Sequence, residues 1–169
     1  MTQLDIHSRL GVDVGRVLVG ASTDGNEPDT SFLSARDEDA IRIPPEPFAF
    51  EVVRAAFERT DGHVHVVSKC GPRIQRLTRR WLEHQGFFGV TGVPSEHVHF
   101  VLKRPEKRAV AAELGLTHFV DDRLDVLEPM RGLVSTLVWF GGDRARAPAW
   151  VTPARDWSDV SVALLGART

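Results

Sequence analysis

At 169 residues, with 42% hydrophobic and 26% charged side chains, the chain has the length and make-up of one soluble globular domain with a sizeable core. A formal net charge of −2 gives no electrostatic footprint for nucleic acid or an anionic membrane surface. One cysteine rules out an internal disulfide and any cysteine-rich zinc module, which fits a reducing cytoplasm, and no stretch reads as a signal peptide or a membrane span.

The first informative stretch is Leu10 to Val19, an apolar run with Asp13 inside it and Gly15 two residues later. Such a run reads as a strand buried on both faces. A carboxylate there is costly unless a cation or donors meet it, so Asp13 is a candidate for chemistry at a strand end. Residues 21–47 follow, rich in Asp, Glu, Pro, Gly and Ser, with Phe32, Leu33, Ile41 and Ile43 as anchors. This segment is too polar for core and long for a plain loop, which makes it a candidate flap over the same crevice.

Pro47 to Thr60 has helical spacing, with Phe50, Val53, Ala56 and Phe57 on one face and Asp61-Gly62 as a stop. His63 to Ser68 reads as a strand. A helix begins near Pro72, with Ile74, Leu77, Trp81 and Leu82 as its stripe and Gly86 at its end. Val98 to Leu102 is a third strand, and Pro105 to Leu114 a helix closed by Gly115. Thr117 to Asp122 is a strand ending in two carboxylates. Arg123 to Met130 is helical, a strand lies within Leu133 to Phe140, and Gly141-Gly142 turns the chain. Asp156 caps a closing helix to Leu165.

This alternation predicts a single doubly wound, Rossmann-like three-layer α/β/α domain over residues 1–169, with a parallel sheet and no large cap domain. Right-handed crossovers put every strand's carboxyl end on one rim. Asp13, Ser68, Asp121 and Asp122 thereby converge, with Lys107 at the start of the helix leading to the last two. Three carboxylates on one rim call for a counter-charge, and Mg2+ with its preference for oxygen ligands is the natural one. Asp13 could then attack phosphorus while lysine, metal and backbone amides stabilise the developing charge.

The order Gly-Val-Asp13-Val-Gly, Val-Val-Ser68, Glu-Lys107-Arg-Ala-Val and Phe-Val-Asp121-Asp122 resembles that of the haloacid dehalogenase superfamily. The resemblance implies a Mg2+-dependent phosphatase in which Asp13 is nucleophile and metal ligand, Ser68 the phosphate-binding hydroxyl, and Lys107 the lysine that steadies both. It places Lys69, Val14 and Gly15 around the phosphate. Asp122 would be the inner-sphere metal ligand, supported by Asp121 or Asp125 and by the carbonyl of Gly15. Lys103 competes with Lys107, which is favoured because it opens the helix feeding the acidic strand.

The chain departs from the family at Gly15, where phosphatases carry a second Asp as general acid and base. That loss implies a slow enzyme, since such help is worth roughly 10²–10⁴ in rate. Arg16, Asp24, Glu38 and Asp39 are substitutes without support. The rival expectation is a catalytically silent relative that binds a phosphorylated ligand or a protein. A nucleotide binder is a weaker third, because Gly11 to Gly15 lacks a glycine-rich phosphate turn. The expected partner is a phosphorylated small molecule or a macromolecular phosphoester, and an open crevice also suits cover by a second copy of the chain.

Of the remaining features, His63, His65, His97 and His99 start two neighbouring strands, where four imidazoles could gather. They read mainly as solvated or hydrogen-bonded side chains, with a transition-metal site as the sharper alternative. Cys70 reads as a buried inert thiol, Arg73 to Arg80 as the wet face of a helix, and Trp139, Trp150 and Trp157 as packing residues.

Overall fold

A computed structural model describes residues 2–20 and 36–166. The sheet has six strands, all parallel, in the order β3-β2-β1-β4-β5-β6. These are β1 (Leu10–Val12), β2 (Val64–Lys69), β3 (Val98–Val101), β4 (His118–Asp121), β5 (Thr136–Phe140) and β6 (Thr152–Ala154). The chain runs from β1 through α1 (Asp37–Ala40) and α2 (Ala49–Arg59) to β2, then through α3 (Pro72–His84) and α4 (Phe87–Thr91) to β3. It continues through α5 (Glu106–Glu113) to β4 and through α6 (Leu124–Leu127) to β5, and ends in β6 and α7 (Trp157–Leu165). The strand β6 and the helix α4 have no counterpart in the sequence reading, both being too short to show a period.

Alternation along the strands divides the core in two. Leu10, Val12, Val64, Val66, Val120 and Val138 face α2, α3, α4 and α7. Val67, Phe119 and Leu137 face the opposite layer, built from Ala111, Val126, Leu127 and Met130. The three-layer arrangement follows, and among the described residues no second domain interrupts it. On β1 the residue facing the second layer is Gly11, and a Cβ there would lie 2.6 Å from both Leu116 and Phe119. The missing side chain is what lets those two pack against the central strand.

The local signals behave as their chemistry requires. Asp61 and Gly62 take left-handed conformations (φ 50° and 85°) directly after α2. Pro72 sits in the first turn of α3, and the Asp156 carboxylate accepts the Asp159 N–H at 3.0 Å to cap α7. The exception is the run Leu10 to Val19. It is a strand only as far as Val12. Beyond Asp13 the Val14 carbonyl accepts the N–H groups of Val17, Leu18 and Val19 at 3.2, 2.9 and 3.1 Å, with Arg16 left-handed at φ 56°. The donors a longer strand would give the sheet are spent inside this turn. Val14, Val17 and Leu18 are buried all the same, so composition alone could not distinguish a tight apolar turn from a strand.

Three of the four histidines meet across β2 and β3. His65 Nδ1 lies 3.1 Å from His99 Nε2, the His65 ring stacks on His97 at 4.3 Å, and His97 Nδ1 is 2.9 Å from the Val64 carbonyl. The contacts are a hydrogen-bonded stack, not a set of nitrogens converging on one point. Burial, followed by the charges of His97, His99, His63 and Arg9, pushes His65 down to about 4.

Two expectations follow from this architecture. Gly11→Ala should lower stability by about 1–3 kcal/mol through overpacking against Leu116 and Phe119, read from the denaturant midpoint. Acid should weaken the fold through His65. The unfolded chain protonates that ring below about pH 6.5 and the folded chain only near 4, so stability is whole above 6.5 and is lost as pH falls toward 4. The loss is up to about 3 kcal/mol, and His65→Phe should flatten the stability-against-pH curve by that amount.

Candidate active site

The carboxyl rim of the sheet collects the polar groups. Asp13 is the first residue beyond β1, its backbone N–H donating to the Val120 carbonyl at 3.0 Å. Asp121 ends the neighbouring β4, and Asp122 follows it. Lys107 enters from α5, whose start is fixed by Glu106: its carboxylate accepts the Leu102 and Lys103 N–H groups at 3.0 and 3.1 Å. The Lys107 ammonium then lies 2.8 Å from Asp13 Oδ1 and 2.7 Å from Asp121 Oδ2.

All three partners are withdrawn from water, with Lys107 2%, Asp13 7% and Asp121 0% exposed. Burial works against the lysine's charge, but the two carboxylates outweigh it and raise Lys107 to about 12. Burial, and then the negative charge of Asp13, drives Asp121 upward against the pull of Lys107. Two buried carboxylates thus share one cation, with Asp122 beside them. Carboxylate oxygens of Asp13, Asp121 and Asp122 lie within 4.8 Å of one another, the one such set of three among the described residues. Hard oxygen donors, two of them buried and under-neutralised, fit Mg2+ better than a soft or imidazole-loving metal.

The other sequence candidates divide. Ser68 is buried one residue before the end of β2, the strand beside β1. Lys69 is exposed next to it. Burial raises the Cys70 thiol, as befits an unreactive one. Val14 and Gly15 open the turn after Asp13, and the turn is held from behind by the Trp157 indole N–H, which donates to the Val17 carbonyl at 2.7 Å. Lys103 is exposed, and Lys107 is the lysine that reaches the carboxylates. Asp125 pairs with Arg123 at 2.9 Å. One contact had no signal in the sequence: the Trp139 indole N–H donates to the Asp122 carbonyl at 3.0 Å. A tryptophan between apolar neighbours reads as packing, and only the strand register exposes its second use.

Of the flap over residues 21–47, residues 21–35, and with them Asp24, lie outside the described residues. The described ends run antiparallel, Val19 bridging Pro45 and the Glu46 N–H donating to Leu18 at 2.8 Å. The helix α1 is tied to α3 by Arg73–Asp37 and Arg80–Glu38 pairs, each 2.8 Å. The arginine run is therefore partly a contact face. Glu38 is held there by Arg80, two turns along α3 from the rim, about 12 Å at 1.5 Å per residue.

No family model and no curated protein sequence matches the chain. Solved structures do. That of a D,D-heptose 1.7-bisphosphate phosphatase from B. bronchiseptica, complexed with magnesium and phosphate, superposes with a TM-score of 0.62 at 13% identity, covering 93% of this chain and 98% of the other. A haloacid dehalogenase-like family hydrolase from Xanthomonas campestris gives 0.61 at 14% identity, covering 96% and 95%. A haloacid dehalogenase family hydrolase from Deinococcus radiodurans R1 with bound phosphate and sodium gives 0.52 at 13%, covering 94% and 96%. With nearly the whole length of each pair superposed and a parallel sheet carrying its carboxylates on one rim, the protein has the haloacid dehalogenase-like fold.

Proposed function

We propose that the chain is a phosphohydrolase that cleaves a phosphate ester through an aspartyl-phosphate at Asp13. The observation that carries the reading is the Lys107 ammonium held between Asp13 Oδ1 and Asp121 Oδ2 within a triad of convergent carboxylates. With one Asp13 oxygen fixed by Lys107, the carboxylate is oriented and its other oxygen is the one that attacks phosphorus. The ester oxygen leaves with the bond electrons. Water then attacks the aspartyl-phosphate, releasing phosphate and restoring the carboxylate. Lys107 offsets charge on nucleophile and phosphoryl group alike. Ser68, Lys69 and the backbone at Val14 and Gly15 are the groups we assign to the phosphate. Mg2+ held by Asp13, Asp122, the Gly15 carbonyl and Asp121 would neutralise phosphoryl charge as a Lewis acid. Phosphate bound to two of the structural relatives, and magnesium to one, supports the same chemistry.

Gly15 has no proton to give, so the leaving group must depart unaided. Aryl phosphates should therefore turn over roughly 10²–10⁴ faster than alkyl phosphates. The open rim suits a phosphorylated small molecule or a macromolecular phosphoester, selected by residues 21–47 or by a second copy of the chain. The same glycine favours a second reading, a phosphate-binding protein without turnover.

Steady-state hydrolysis of p-nitrophenyl phosphate separates the two. The expected result is Mg2+-dependent turnover that falls more than about 100-fold in Asp13→Asn. Mg2+ or phosphate binding without any turnover establishes the second reading instead. Lys107→Met should destabilise the fold by about 3–5 kcal/mol, because it strands a buried carboxylate without its cation, and the unfolding midpoint reads that loss directly.

A further inference from the structure

The peptide group that joins Asp122 to Arg123 is held at both of its polar ends. Its carbonyl, on Asp122, accepts the Trp139 indole N–H at 3.0 Å, and its N–H, on Arg123, donates to Asp121 Oδ1 at 3.0 Å. Fixing this plane fixes the backbone torsion that aims the Asp122 side chain. Trp139 is itself placed by the sheet, lying opposite Asp121 in the β4–β5 register. Its indole is seated by the turn that follows. At Gly142 a Cβ would fall 2.5 Å from two indole carbons and 2.8 Å from the Trp139 carbonyl, so the backbone closes on the ring only where there is no side chain. Gly141, at φ 69°, makes the reversal that brings it there.

We infer that Trp139, seated by Gly142, is a positioning residue for the metal site, holding Asp122 in the orientation that binds Mg2+. The inference rests on the reading of Asp122 as a metal ligand. Asp122 is the most solvent-exposed of the three carboxylates and stands just past the end of its strand. Asp13 and Asp121 are locked by Lys107, and the peptide that follows Asp122 is held by this clamp. Partners that orient a metal ligand are worth about 10–100-fold in affinity when removed.

Calorimetric titration of the full chain with Mg2+ alone, without substrate, tests it. Trp139→Phe keeps an aromatic ring but loses the donor. The expected result is a Mg2+ dissociation constant raised about 10-fold or more, with Gly142→Ala moving it the same way. Loss of ring bulk alone lowers the metal-free unfolding midpoint without changing Mg2+ affinity, so the two readouts together separate the clamp from packing. If Trp139→Phe does not fold, benzothienylalanine at position 139 removes the N–H while keeping the shape, and should give the same loss. Equal Mg2+ affinity in parent and donor-less variant overturns the clamp and leaves the metal reading standing. A parent chain that binds no Mg2+ overturns the metal reading, and the clamp with it.

Discussion

One ammonium group organises this molecule. Lys107 places a positive charge where two strands end in carboxylates, and none of the three groups is stable there without the others. A buried ion pair of this kind is poor value as a source of stability, because desolvation consumes most of the Coulombic gain. Its worth lies in definition. The loop before α5 is closed by Glu106, which caps two backbone donors, and the lysine one residue on holds one oxygen of Asp13 and so fixes which way the other is presented. A hydrophobic trio could fill the same volume and would hold the helix as well, but it would leave the rim with nothing to neutralise.

The fold supplies the rest at little cost. Because every strand is parallel, each of the strands β1, β2 and β4 delivers its last residues to the same edge, and these three adjacent strands are those that carry Asp13, Ser68 and the acidic pair. The face toward α5 must be reached by Lys107, and the small profile of Gly11 allows Leu116 and Phe119 to draw that layer close. The ammonium rides 5.9 Å above the Phe119 ring, so the packing residue beside the central strand also lies under that buried cation.

Much of this was legible in the residues. A lone carboxylate in an apolar run, a serine and an acidic pair at strand ends, and a lysine opening a helix are violations of the hydrophobic pattern, and such violations are where sites lie. What the pattern could not convey was local closure. The Leu10 to Val19 run stays apolar while its backbone leaves the sheet, since burial by a turn and burial by a strand leave the same composition. The arginines of α3 looked solvated because their acidic partners lie some forty residues away in sequence, at Asp37 and Glu38. Three of the histidines do gather as their spacing suggests, yet His65 and His99 turn a nitrogen on each other and His97 turns one on a carbonyl. Trp139 shows the general limit: a side chain's second task is set by register, which no single segment contains.

The outermost strand β6 has three residues and a proline at its centre, with Pro153 opposite Trp139. A proline offers no N–H to an incoming chain, and three residues give too short a template for stable pairing. The sheet therefore terminates itself on that side, and strand-by-strand growth into fibrils has no foothold there even though the neighbouring β5 carries the apolar run Leu137 to Phe140.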